Sequence, residues 1–134
     1  MTVKGACNCG QVAFEVDAPV RDVFVCHCSI CRRYTGSNGI AVVIVENGAF
    51  RWVKGKEAIR TWQKPGADWQ AWFCQTCGSP VPGPNDAARM FIPAGLIGEG
   101  GEPLRVAAHI LVGSKAPWDE IGDEGQQYRE SFGA

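Results

Sequence analysis

Cys26-His27-Cys28-Ser29-Ile30-Cys31 is the stretch on which the fold turns, because it sets three thiols within six residues. Two further clusters flank it, Cys7-Asn8-Cys9 and Cys74-Gln75-Thr76-Cys77, and the three clusters together hold all seven cysteines of the chain. Four thiolates complete a tetrahedral zinc site, whereas three leave one position open, as a catalytic metal requires. The count therefore divides into one closed structural zinc and one reactive zinc.

Working outward, Cys74-Gln75-Thr76-Cys77-Gly78 has the form of a knuckle in which two sulfurs sit on a tight turn, with Gly78 permitting a positive φ. Cys7-Asn8-Cys9-Gly10 is narrower but still brings two sulfurs to one metal. Pairing these two clusters staples the start of the chain to its middle, and such a site contributes folding free energy directly. Cys26, Cys28 and Cys31 are close enough in sequence to share a second metal by themselves. A short helix capped by Ser29 and running to Gly36 would place Cys31 in its first turn, where the helix dipole favours a thiolate.

The composition agrees with a cytoplasmic metalloprotein. The chain has 134 residues, enough for one domain spanning residues 1–134, and its 46% hydrophobic content suffices for a core. A formal net charge of −1 and no run of Lys or Arg argue against a nucleic-acid protein. The longest apolar run, residues 40–45, falls far short of the ~20 residues that cross a bilayer, and no apolar leader precedes Cys7. No membrane role is expected, and the sequence does not set the oligomeric state. In a reducing compartment clustered cysteines mean metal ligation more often than disulfides.

Seventeen glycines and eight prolines punctuate the chain and favour a mainly β fold of short twisted sheets stapled by zinc. Val12, Phe14 and Val16 alternate with smaller or polar residues, as in a half-buried strand. Val23 and Val25 repeat the pattern. Residues 40–45 read as a strand buried on both faces. Residues 50–53, 58–62, 69–73, 90–93 and 107–112 complete the strands, and residues 80–101 are otherwise loop-rich. A terminal helix is expected after Asp123, with Gln126 closing a capping box and Tyr128 and Phe132 on one face.

Around the trio, Arg32 and Arg33 follow the last thiol and are candidates to receive an anionic ligand. His27 lies between two thiols, and strand alternation turns its side chain away from them toward a supporting role. His109 reads as a satisfied, half-buried histidine. Trp118, in a proline-bearing loop, is a candidate to line a cleft.

Taken together, Gly5-Ala6-Cys7-Asn8-Cys9-Gly10-Gln11-Val12, Cys26-His27-Cys28-Ser29-Ile30-Cys31-Arg32-Arg33, Phe73-Cys74-Gln75-Thr76-Cys77-Gly78-Ser79-Pro80 and the late stretch His109 to Trp118 resemble the glutathione-dependent formaldehyde-activating enzyme family, which includes centromere protein V. The resemblance implies the zinc fold shared with methionine sulfoxide reductase B. It implies a structural zinc on Cys7, Cys9, Cys74 and Cys77 and a second zinc on Cys26, Cys28 and Cys31, two ions per chain. It further implies a carbon–sulfur lyase that joins formaldehyde to glutathione, a small-molecule thiol substrate. Because glutathione is anionic, Arg32, Arg33 and Lys115 are candidates to receive its carboxylates. A non-catalytic, zinc-stapled module that binds a protein partner is the alternative that the residues leave open.

Overall fold

The computed structural model describes residues 2–132. In chain order the strands are β1 (Thr2–Ala6), β2 (Ala13–Asp17) and β3 (Asp22–Cys26), then helix α1 (Ser29–Thr35). There follow β4 (Ile40–Glu46), β5 (Phe50–Lys54), β6 (Ile59–Gln63), β7 (Gln70–Cys74), β8 (Gly83–Pro84), β9 (Arg89–Pro93), β10 (Ile97–Glu99), β11 (Arg105–Ile110) and β12 (Gln126–Gln127). The fold is mainly β, as the glycine and proline spacing leads one to expect. Among the described residues no helix is long and apolar enough to cross a membrane.

Three sheets share the work. A four-stranded sheet runs β10-β1-β2-β5, a six-stranded sheet runs β12-β11-β3-β4-β9-β8, and β6 and β7 form a separate hairpin. The alternation of Phe14 and Val16 buries one face of β2, and these residues meet Val3, Val23, Val43, Val45 and Ile92 in the main core between the larger sheets. A second core gathers Val12, Ala58 and Val81 around Cys7 and Cys74. An isolated two-stranded hairpin is marginal in water, and β6–β7 is anchored here because Cys74, opposite Ile59 in the register, enters that second core.

Strand β3 pairs antiparallel with β4 and parallel with β11, so Cys26 lies beside both Ile40 and Ile110. Gly39 lets β4 start there: a Cβ at that position would stand 2.4 Å from the Cys26 carbonyl oxygen.

Three expectations change. Residues 40–45 are fully buried on one face and only partly on the other: Val43 and Val45 enter the core, whereas on the opposite face Ile40 is buried but Val42 and Ile44 stay partly exposed. Helix α1 is capped by Cys28, not Ser29; the Cys28 sulfur accepts the Cys31 backbone N–H at 3.3 Å, and Gly36 closes the helix in the left-handed region. The terminal segment is extended rather than helical. Its backbone is claimed by the sheet edge, with Tyr128 N–H donating to the His109 carbonyl and Val112 N–H donating to the Tyr128 carbonyl. Asp123, expected as a helix cap, instead accepts from the Gly125 N–H and contacts His109. Tyr128 and Phe132 do pack together, edge to face at 5.4 Å between ring centroids.

Candidate metal centres and cleft

The sulfurs of Cys7, Cys9, Cys74 and Cys77 all lie within 4.8 Å of one another. A tetrahedron built on metal–sulfur bonds of ~2.3 Å has edges of about 3.8 Å. The Cys7–Cys9 and Cys9–Cys74 sulfur separations of 3.7 and 3.8 Å match that figure. The turns that present these sulfurs are built locally. Gly10 N–H returns to the Cys7 carbonyl at 3.0 Å and Gly78 N–H to the Cys74 carbonyl at 2.8 Å. Gly78 adopts φ 77°, which a residue with a Cβ takes only at a cost. Ser79 joins the two knuckles, since its Oγ accepts the Asn8 N–H at 3.0 Å and sits 3.3 Å from the Cys77 sulfur. Hydrogen bonding from the Ser79 side chain, then from its backbone, pulls the Cys77 thiol down to about 5. The donor set fits a closed metal site.

Cys26, Cys28 and Cys31 form the second group, again with all sulfurs within 4.8 Å. Cys26 ends β3, Cys28 caps α1, and Cys31 is buried in the helix's first turn. The hydrogen bond with Cys31 pulls the Cys26 thiol down to about 6, while Cys31, which keeps the proton and is buried, is pushed far up. All three sulfurs ionise together only around a cation, and the trio fits a metal with one position left over.

Two of these sulfurs, those of Cys26 and Cys31, border a cleft. A cavity of about 430 Å³ is lined by Cys26 and Cys31 together with Tyr34, Ile40, Val42, Gln63, Asp68, Trp69, Gln70, Trp72, Pro84, Asn85, Phe91 and Ile110. The exposed face of β4 thus lines the cleft through Val42, and the β6–β7 hairpin supplies the tryptophans. Tyr34 links helix to hairpin. Its hydroxyl donates to the Trp72 carbonyl and accepts the Trp72 N–H at 3.3 Å, and its ring meets Trp69 edge to face at 5.0 Å. Burial holds the Tyr34 hydroxyl up at about 12, so it remains a donor.

The four side chains expected to meet substrate lie apart from this lining. Arg32 is partly buried with its Nε unpartnered, and Arg33 is exposed on α1. Lys115 donates to the Asp119 carbonyl at 2.8 Å. Trp118 is 69% exposed. Sequence adjacency to Cys31 does not place the arginines in the cleft, because α1 turns successive residues to different sides. Tyr34, three residues after Cys31, shares its helix face, and that spacing was the signal that would have found it.

A polar chain, buried at His27, His109 and Asp119 and exposed at Asp123, was not revealed by the sequence. His109 is buried rather than half-buried; its Nε2 meets the Asp123 carboxylate at 2.8 and 3.1 Å and its Nδ1 meets His27 Nε2 at 2.8 Å. His27 Nδ1 faces Asp119 Oδ2 at 3.4 Å, and Asn38 Nδ2 donates to the other Asp119 oxygen at 3.2 Å. Both His27 nitrogens are thus directed away from the flanking sulfurs. Burial, then the neighbouring His109, lowers the pKa of His27. Hydrogen bonding from His109 holds the Asp123 carboxyl below the usual carboxylate range.

The family model described as glutathione-dependent formaldehyde-activating enzyme matches residues 2–132. The chain belongs to this family. A Halomonas elongata protein whose name places it among the glutathione-dependent formaldehyde-activating enzymes is 33% identical over 87 residues, covering 59% of this chain. The match covers 54% of that relative, so the chain spans about half the length of the curated relative it matches. A crystal structure of a Rhodobacter sphaeroides protein, a structural-genomics target, superimposes with a TM-score of 0.55 at 29% identity, covering 75% of this chain and 91% of that one. For a glutathione-dependent formaldehyde-activating family member, the two sulfur groups and the cleft on the second are the features with chemical potential.

Proposed function

We propose that this protein is a zinc-dependent enzyme that makes or breaks the carbon–sulfur bond of a glutathione–aldehyde adduct such as S-hydroxymethylglutathione, a carbon–sulfur lyase chemistry. The observation that carries the reading is the opening of the Cys26–Cys28–Cys31 group onto a cleft, in a chain of this family. In this reading Cys7, Cys9, Cys74 and Cys77 hold a structural zinc, and Cys26, Cys28 and Cys31 hold a second zinc. Bound there, zinc would supply a fourth coordination position that keeps a substrate sulfur as thiolate at neutral pH.

The chain's own groups do the positioning. Cys26 and Cys31 present the open side to the cleft, and Tyr34 fixes the helix against the hairpin so that the opening keeps its shape. Apolar and aromatic walls limit water around the reacting carbon. The reaction is an addition: the thiol sulfur bonds to the aldehyde carbon, the carbonyl π bond becomes an O–H bond, and the thiol proton ends on that oxygen. The reverse step restores the aldehyde and the thiol. A cytoplasmic setting, which keeps thiols reduced, suits seven free cysteines.

The test is exchange spectroscopy on an equilibrium mixture of glutathione and formaldehyde with the zinc-loaded protein added. Faster interchange between free and hydroxymethylated glutathione, abolished by Cys31→Ser, is the expected result. Unchanged interchange, together with no calorimetric binding of glutathione, would leave a zinc-stapled protein-binding module as the better reading.

A further inference from the structure

The lining of the cleft says more about its occupant than the sulfurs do. Among its described residues Asp68 is the one charged side chain apart from the thiols, and no Lys, Arg or His is present. A trio of thiolates on a divalent ion carries a net negative charge, and Asp68 adds to it. A carboxylate entering this space would meet no cation and would lose its hydration. The apolar walls of the cleft are Trp69, Trp72, Phe91, Ile40, Val42 and Ile110, which are aromatic or branched. The volume of about 430 Å³ lies in the range of whole small-ligand pockets, far larger than a one-carbon hydroxymethyl group needs. Tyr34 braces Trp69 and Trp72, so the width is set by a hydrogen-bonded contact rather than by loose side chains.

We propose that the cleft beside Cys26 and Cys31 accepts thiol adducts whose carbonyl-derived part is apolar and uncharged, an aryl or branched alkyl aldehyde in preference to formaldehyde. This rests on the reading of the trio as the thiol site. The bonds made are those of the addition above: sulfur joins the carbonyl carbon, the oxygen gains the thiol proton, and no oxidant or reductant takes part. The aldehyde substituent lies against Trp69 and Val42, and the rest of the thiol carrier extends toward solvent past the neutral amides Gln63, Gln70 and Asn85.

Calorimetric titration of the zinc-loaded protein with stable thioethers tests this. S-methylglutathione, S-benzylglutathione and S-carboxymethylglutathione differ only in the group offered to the cleft, and ethanethiol and benzyl mercaptan repeat the comparison without the peptide. The benzyl member of a series should bind at least about tenfold more tightly than its small partner, as burial of an aromatic ring predicts, and the carboxymethyl derivative should bind most weakly. Trp69→Ala should reduce the benzyl preference to less than about threefold. Val42→Thr, which keeps shape while adding a hydroxyl, should weaken it with the fold intact. A benzyl preference confined to the free thiols would uphold the cleft assignment and refute glutathione as the carrier. Equal affinities within both series, tightest binding of the carboxymethyl derivative, or no binding in either series would overturn the proposal.

Discussion

His27 Nε2 and His109 Nδ1 lie 2.8 Å apart, so one ring donates to the other and the direction is set from outside the pair. Asp123, ionised, accepts from His109 Nε2. With both rings neutral, Nδ1 of His109 is the acceptor and His27 donates through Nε2. This leaves His27 Nδ1 facing Asp119 Oδ2, both buried and without a hydrogen-bond partner that satisfies normal geometry.

The direction of that chain is directly measurable. Nitrogen-15 shifts of the two imidazoles at neutral pH should show Nε2 protonated on both rings. Replacing His109 with Leu should remove the acceptor and leave His27 Nε2 buried and unsatisfied, costing about 1–3 kcal/mol of stability by denaturant unfolding.

Acid should act on the outer end of the same chain. The folded Asp123 pKa is below its ordinary value of 3.8, so the unfolded state binds the proton more readily. Its contribution is complete above 3.8 and is lost as pH falls through the lower folded value. The stability gap between the wild type and Asp123→Asn should therefore be full at neutral pH and close progressively in acid, while a gap that widened on acidification would contradict the assignment.

Removing a sulfur should have opposite consequences in the two groups. Cys31→Ser should lower the metal content by about one equivalent and keep the native near-ultraviolet circular dichroism. Cys77→Ser should unfold or aggregate the protein, because apparent binding free energies of structural zinc are about 10–16 kcal/mol in small peptides. Elemental analysis beside circular dichroism distinguishes the two, and equal collapse of both variants would count against separate roles.

Tyr34→Phe deletes the hydroxyl that serves both the carbonyl and the N–H of Trp72. A loss of about 1–3 kcal/mol is expected from the unsatisfied backbone groups. Faster amide exchange at Trp72, with β1 and β2 unaffected, would locate the damage at the helix–hairpin contact.

The strands and the sulfur groups could be read from the chain because both are written in local spacing. Phe14 and Val16 alternate, and each cysteine cluster holds its sulfurs within a few residues, so period and proximity suffice. The cleft could not be read that way. Tyr34, Val42 and Trp72 come from a helix and two sheets, and only tertiary packing brings them beside Cys26. The terminal helix failed for a related reason: Asp123 and Gln126 satisfy a local capping pattern, but the free edge of β11 competes for the same backbone groups and wins. The arginines after Cys31 were near in sequence yet turned elsewhere by the helix.

Strand β7 ends in Cys74, and the tryptophans Trp69 and Trp72 stand just before it. If the quartet holds a metal, a chelator or electrophile acting there would therefore slacken the hairpin and alter the aromatic recess, even with Cys26, Cys28 and Cys31 chemically untouched. Sensitivity of ligand choice to stripping agents would then report on the fastening, not on the trio.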